Sequence, residues 1–271
     1  MMTLLTQDFE QLAGRLARTL RAGCAGVDDV PVAAVPRVEE LRQVLTPLLG
    51  WCVSRTPSAA RGLVGIAGPC GAGKTLLLSW LAATARELGL VQFAFAALDA
   101  YHLPNALLDS RCGVDSEGNT VALRLLKGTP PTFDAAAFLA DLQALKSSRQ
   151  ELRLPVYSRQ LHEPRAGAMC VGKEIEWVFV EGNFLFLDTP PWLEVRRLWD
   201  RKIYIDAGDA VLRARLGRRH AAAGRDASWI EAHFRRTDGP NINLIRAHAA
   251  AAEVVLRWGE DGYLQPWMTG D

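Results

Sequence analysis

No apolar run in the 271-residue chain approaches the ~20 residues of a membrane-spanning helix, and the N-terminus carries no signal-peptide pattern. Charge of one sign is also missing. Thirty-one Lys and Arg stand against 30 Asp and Glu, a formal +1, so no global field favours nucleic acid or an anionic membrane. The five cysteines, Cys24, Cys52, Cys70, Cys112 and Cys170, are odd in number, widely spaced and without a CxxC pair. That pattern argues against a disulfide framework or a cysteine zinc site. There is no internal repeat, and no low-complexity tract beyond short alanine runs. Together these absences predict a reduced, soluble, cytoplasmic protein that contacts neither nucleic acid nor membrane.

With 49% hydrophobic residues, a chain of this length can bury the core of one large α/β domain. An amphipathic helical pattern over 1–21 (Leu4, Leu5, Phe9, Leu12, Leu16, Leu20) is followed by a linker-like stretch over 22–36 and a second helix over 38–52. Residues 1–55 are therefore expected to form a helical extension, and 56–271 the main domain. From Gly62 onward apolar β-type runs (62–67, 91–98, 176–180, 202–205, 253–256) alternate with helical segments. This alternation predicts a mostly parallel sheet with helices on both faces, whose ligands sit at the carboxyl ends of the strands.

Between the first strand and a helix stopping at Gly89 lies GPCGAGKT, Gly68 to Thr75. Gly68, Gly71, Ala72 and Gly73 make a loop of small residues whose N–H groups can curl around phosphate oxygens at the positive end of the following helix. Lys74 adds a point charge for the β/γ-phosphates, and the Thr75 hydroxyl is a hard oxygen ligand suited to Mg²⁺. A glycine-rich turn without phosphate is the bland alternative. The adjacent Lys-Thr and the strand-loop-helix context favour the P-loop. Cys70 inside it is either oxidisable or a bystander.

Two acids emerge at strand ends. Asp99 is either a catalytic base for phosphoryl transfer or a turn cap. Glu181, before Gly182-Asn183, is either a metal or metal-water ligand or a salt-bridge partner of a neighbouring helix. His102 either binds substrate or satisfies a backbone carbonyl. The basic stretch from Arg213 to Arg225 is either a solvated helix face or a mobile lid, over about 211–236, whose arginines close on the phosphates.

An ordered series of segments carries a resemblance: GPCGAGKT (68–75), LDAYHLPNALLD (98–109), LKGTPPTFD (126–134), LPVYSRQLHEP (154–164), VFVEGNFLFL (178–187), RLGRRHAAAGRD (215–226) and DGPN (238–241). The chain resembles the phosphoribulokinase, uridine kinase and bacterial pantothenate kinase group of P-loop small-molecule kinases, in particular its branch of fructose transport system kinase-like proteins. The resemblance implies a three-layer α/β/α P-loop NTPase fold with a five-stranded sheet in the order 2-3-1-4-5 and a helical lid. It further implies a kinase transferring the γ-phosphate of Mg-ATP to a hydroxyl of a sugar, nucleoside or pantothenate-like acceptor. Lys74, Thr75 and Arg215 would hold the nucleotide, with Thr75 and Glu181 on the metal. Asp99, Lys74, Arg218 and Arg219 would act in catalysis, and Tyr101, His102, Tyr157, Arg159, His162 and Asn183 would line the acceptor pocket. Tyr101 stands where the family often has Phe, and the first 60 residues carry none of these motifs. A homodimer is compatible with the resemblance.

A nucleotide-dependent regulator is the competing class. The chain lacks the NKxD guanine motif and the LSGGQ signature of transport ATPases. A degenerate, non-catalytic kinase is disfavoured because lysine, hydroxyl, both acids and the arginines are all present.

Overall fold

The computed structural model of the chain describes residues 8–22, 34–54 and 56–265. Most of the linker expected over 22–36, with Cys24, lies outside them. Helix α1, Phe9–Arg21, begins at Asp8, whose carboxylate accepts the amides of Glu10 and Gln11. Its Leu12, Leu16 and Leu20 recur every four residues, fully buried, on one face. Helix α2 covers 38–53, α-helical at Val38–Glu40 and Thr46–Val53 with a π-turn at Leu41–Leu45 between. Both helices share one core with the helix after the P-loop, through Leu41, Leu45, Leu48, Leu77 and Leu81.

The rest follows in order: β1 Gly62–Ala67, α3 Lys74–Glu87, β2 Phe93–Ala97, a 3₁₀ turn Leu98–Tyr101, and α4 Asn105–Ser110. A short hairpin of β3 Cys112–Val114 and β4 Thr120–Ala122 precedes α5 Ala135–Ser147 and a longer hairpin of β5 Leu152–Ser158 and β6 Glu163–Val171. Then come β7 Trp177–Gly182, α6 Trp192–Leu198, β8 Arg201–Asp206, α7 Asp209–Ala222 and α8 Ala227–His233. A π-turn Phe234–Asp238, α9 Gly239–Arg246 and β9 Val254–Arg257 complete the described chain.

The central sheet has five strands in the order β2-β7-β1-β8-β9, all parallel. Counting only these strands in chain order gives 2-3-1-4-5, as expected. β1 and β7 are buried along their whole length, which explains the apolar runs 62–67 and 177–180. The α1–α3 side packs Val64, Ile66 and Phe179, while the α5–α6 side packs Leu63, Val178, Phe138, Trp192 and Trp199. These are the three layers.

The two hairpins did not figure in the sequence expectation. β5 and β6 contain Pro155 and Pro164, residues that normally argue against a strand, and the register shifts between Leu154 and Val156. The fully buried Arg61 helps anchor this hairpin. Its guanidinium donates to the carbonyls of Ser148, Gln150, Gly172 and Ile175, tying the start of β1 to both hairpin ends. Among the described residues no helix is long and apolar enough to cross a membrane.

Candidate active site

The carboxyl ends of β1, β2 and β7 open into a cleft of about 970 Å³, large enough for a nucleotide and a small acceptor. One wall is the loop after β1. Gly71 and Gly73 take φ 82° and 95°, left-handed values that a side chain resists, and Gly73 caps α3 with no side-chain acceptor. The first-turn amides of α3 thus lie at the floor of the cleft, at the positive end of the helix. Gly68 and Ala72 form the underside of the loop. A Cβ on Gly68 would collide with the Ile205 carbonyl, and the Ala72 amide closes onto Pro69 O at 3.1 Å. Lys74 Nζ is buried, donating to Gly68 O at 2.8 Å and Pro69 O at 2.9 Å.

Trp258, just beyond β9, braces this loop from behind. Its Nε1 donates to Ala72 O at 2.6 Å, while Arg215 lies over its ring at 4.8 Å and donates to Gly71 O at 3.2 Å. Nothing in the spacing of the sequence pointed to Trp258.

β7 delivers Glu181 beside the loop, in register with Ile66 of β1 and Ala97 of β2. The Thr75 hydroxyl donates to Glu181 Oε1 at 2.8 Å. One residue past Gly182, Asn183 Nδ2 reaches Cys70 Sγ at 3.1 Å. Burial pushes the Cys70 thiol up against the opposing pull of Lys74 and Arg219, so it is a poor thiolate.

Asp99 sits in the 3₁₀ turn after β2 with its carboxylate partly exposed to the cleft and Arg159 Nη2 at 3.9 Å. Its backbone carbonyl accepts His102 Nδ1 at 2.9 Å, so both readings of His102 meet in one residue that also lines the cleft. Burial lowers the His102 pKa, favouring the neutral ring. Tyr157 of β5 faces the same space, and burial together with the Asp99 charge pushes its phenol up to about 12. The exposed His162 turns the β5–β6 hairpin at φ 53°.

Two cleft cations were not anticipated. Lys127 donates to Asn105 Oδ1 at 2.9 Å and to His162 O at 2.8 Å, and Arg124 lies beside it. Burial and the charge of Arg124 lower the Lys127 pKa. Lys127 stands in the LKGTPPTFD segment, the only hint the sequence offered.

Two expected residues lie elsewhere. Tyr101 turns into the core against Phe138, its hydroxyl donating to Asp141 Oδ2 at 2.8 Å, because three residues per 3₁₀ turn set it on the same inward face as the buried Leu98. It does not line the acceptor pocket. Arg218 is exposed and does not line the cleft, whereas Arg215 and Arg219 do. Around the α7 axis Arg219 lies about 40° from Arg215 while Arg218 lies about 100° from Arg219, so the two arginines four residues apart reach the cleft and Arg218 falls on its flank.

The chain is similar to known proteins over most of its length. The phosphoribulokinase/uridine kinase family pattern matches residues 63–262. The uncharacterized protein YggC of Escherichia coli K12 is 32% identical over 241 residues, spanning 87% of this chain and 95% of YggC. A Schizosaccharomyces pombe protein provisionally named a uridine kinase is 30% identical over 73% of this chain and 83% of its own length. Among solved structures, a Silicibacter sp. TM1040 protein provisionally named a fructose transport system kinase superposes with a TM-score of 0.62 at 30% identity, covering 76% of this chain and 93% of its own. The chain is a P-loop small-molecule kinase, and it belongs to the phosphoribulokinase/uridine kinase family.

Proposed function

We propose that the protein transfers the γ-phosphate of ATP to a hydroxyl of a small polar metabolite, with Asp99 as the base. The observation that carries this reading is the convergence of the P-loop, the Thr75–Glu181 pair and Asp99 on one cleft. The loop amides and Lys74 bind the β- and γ-phosphates, Lys74 exchanging the Gly68 and Pro69 carbonyls for phosphate oxygens. The Thr75 hydroxyl and Glu181 carboxylate are adjacent hard oxygens of the kind Mg²⁺ accepts alongside water and phosphate. When bound, Mg²⁺ neutralises charge on the transferring phosphates.

The acceptor oxygen attacks the γ-phosphorus as the bond to the β–γ bridging oxygen breaks and ADP leaves; the hydroxyl proton passes to the Asp99 carboxylate. Arg215 and Arg219 stabilise charge on the phosphoryl group from α7, as part of a lid over about 211–236. Residues 1–55 act as a helical extension of a kinase domain over 56–271. Tyr157, Arg159, His162, Asn183 and Lys127, with His102, orient the acceptor. Their mix of phenol, amide, imidazole and cations suits an oxygen-rich molecule such as a sugar, nucleoside or pantothenate-like alcohol.

The test is ADP release from Mg-ATP across sugars, nucleosides, pantothenate and glycerate, with Asp99→Asn in parallel. Acceptor-dependent turnover that vanishes in the variant supports the assignment. Nucleotide binding with no acceptor-dependent turnover argues against it.

A further inference from the structure

Where α7 and α8 border the cleft, His220 of α7, His233 at the end of α8 and Asp238 of the π-turn bring one ligand atom each within 4.8 Å of one another. His220 Nε2 lies 3.0 Å from Asp238 Oδ2, and His233 Nε2 3.9 Å from the same oxygen. Ligands at 2.0–2.1 Å on a tetrahedral Zn²⁺ stand about 3.3 Å apart, so these spacings bracket the edge of such a site. We propose that His220, His233 and Asp238 bind a borderline transition-metal dication, Zn²⁺ foremost, with one coordination position open to the cleft.

The local backbone makes this ligand set. His233 and Asp238 are five residues apart, which in an unbroken α-helix places them about 140° apart around the axis. The π-turn at Phe234–Asp238 closes that angle and brings both onto one face. Such single π-turns often mark functional sites. The rings are also held in place: Trp229 stacks on His233 at 4.5 Å with planes 11° apart and meets His220 edge-on at 5.3 Å. Asp238 is only 3% exposed, and a carboxylate that buried needs a cationic or hydrogen-bonding partner. Both histidines and Thr237 line the cleft, which gives the fourth position its direction. The Thr237 hydroxyl is buried with no hydrogen-bond partner among the described residues, a polar group left over on the same wall.

The chemistry of the donors selects the ion. Two imidazoles and one carboxylate suit Zn²⁺ or Co²⁺, whereas Mg²⁺ and Ca²⁺ take oxygen ligands. Arg219 and Arg225 line the same cleft and oppose any dication, so binding there rests on the donor set and not on the local field. A bound ion would cross-link α7, α8 and the π-turn. The site is independent of the Thr75–Glu181 pair and does not rest on the kinase assignment.

The experiment is a titration of the untagged full chain, without nucleotide, with Co²⁺ followed in the visible spectrum, then Zn²⁺ displacement and a thermal melt with and without Zn²⁺. We expect one equivalent of Co²⁺ with the intense absorption of a four-coordinate ion, displaced by Zn²⁺, and a higher melting temperature with Zn²⁺. His233→Phe keeps a ring for Trp229 to stack on, and Asp238→Asn keeps the hydrogen bond to His220. Each should weaken binding by on the order of 10-fold or more and lose the Zn²⁺-dependent melting shift. Glu181→Gln, at a cleft carboxylate outside this cluster, should retain both. No Co²⁺ binding, a six-coordinate spectrum, or equal binding in wild type and both variants overturns the proposal.

Discussion

The Thr75 hydroxyl donates to the Glu181 carboxylate at 2.8 Å, joining the first turn of α3 to the carboxyl end of β7 across two adjacent parallel strands. If this pair holds Mg²⁺, Glu181→Gln keeps the hydrogen bond but withdraws the charge. The expected result is a Mg²⁺ requirement raised by on the order of 10–100-fold, with turnover recovering at high Mg²⁺. Mg²⁺ dependence of initial rates measures this, and an unchanged profile removes Glu181 from the metal site.

Asp99→Asn preserves the shape of the 3₁₀ turn and removes the proton acceptor. Turnover should fall by about 10²–10⁴-fold, with nucleotide affinity by calorimetry unchanged. Near-normal turnover would end the assignment of Asp99 as base.

A Cβ at Gly68 meets a backbone carbonyl, Ile205 O, which has little room to move. Gly68→Ala should therefore displace the P-loop, weakening ATP binding sharply and costing about 1–3 kcal/mol of stability. Titration calorimetry with ATP and denaturant melts read the two effects separately.

Lys127 holds two neutral oxygens, Asn105 Oδ1 and His162 O, at the cleft wall proposed to orient the acceptor. Lys127→Met should raise the acceptor KM while leaving the nucleotide KM in place. Burial and Arg124 lower its pKa, so its charge disappears at a lower pH than that of an ordinary lysine. Acceptor KM should thus rise on the alkaline side in the wild type and stay flat there in the variant.

Asp200, preceding β8, accepts Lys146 Nζ at 2.9 Å, the Leu63 amide at 2.8 Å and the Ser58 hydroxyl. Burial works against its charged form, yet these donors together with the Lys146 charge hold its carboxyl below the usual range. A carboxylate depressed in the folded state contributes stability above its unfolded pKa of about 3.9, and that contribution fades as pH falls through the folded value. Asp200→Asn should cost about 1–3 kcal/mol near neutral pH, the gap narrowing below pH ~4 in denaturant melts.

Much of the site is local in sequence and was legible there. The P-loop follows directly on β1, Asp99 stands two residues past β2 and Glu181 is the penultimate residue of β7, so a short apolar run and the polar residue that ends it suffice to place each at the same sheet edge. Tyr101 is the instructive miss. It shares a segment with Asp99 and His102, but the 3₁₀ turn sends it inward to Asp141, and no spacing rule distinguishes it from its neighbours. Likewise the prolines of β5 and β6 concealed the hairpin that carries Tyr157 and His162.

The order of apolar runs, glycine-rich turn and strand-end acids determined by itself that this chain forms a parallel α/β sheet with a phosphate-binding loop, because those features depend on residues adjacent along the backbone. Only the tertiary structure decided that Trp258 braces a loop 186 residues away, that Lys127 joins the cleft wall, that Arg218 is left out of the cleft lining, and that a π-turn brings Asp238 beside two histidines. Each of those depends on rotation about a helix or on contact between segments far apart in the chain, and one-dimensional spacing carries neither.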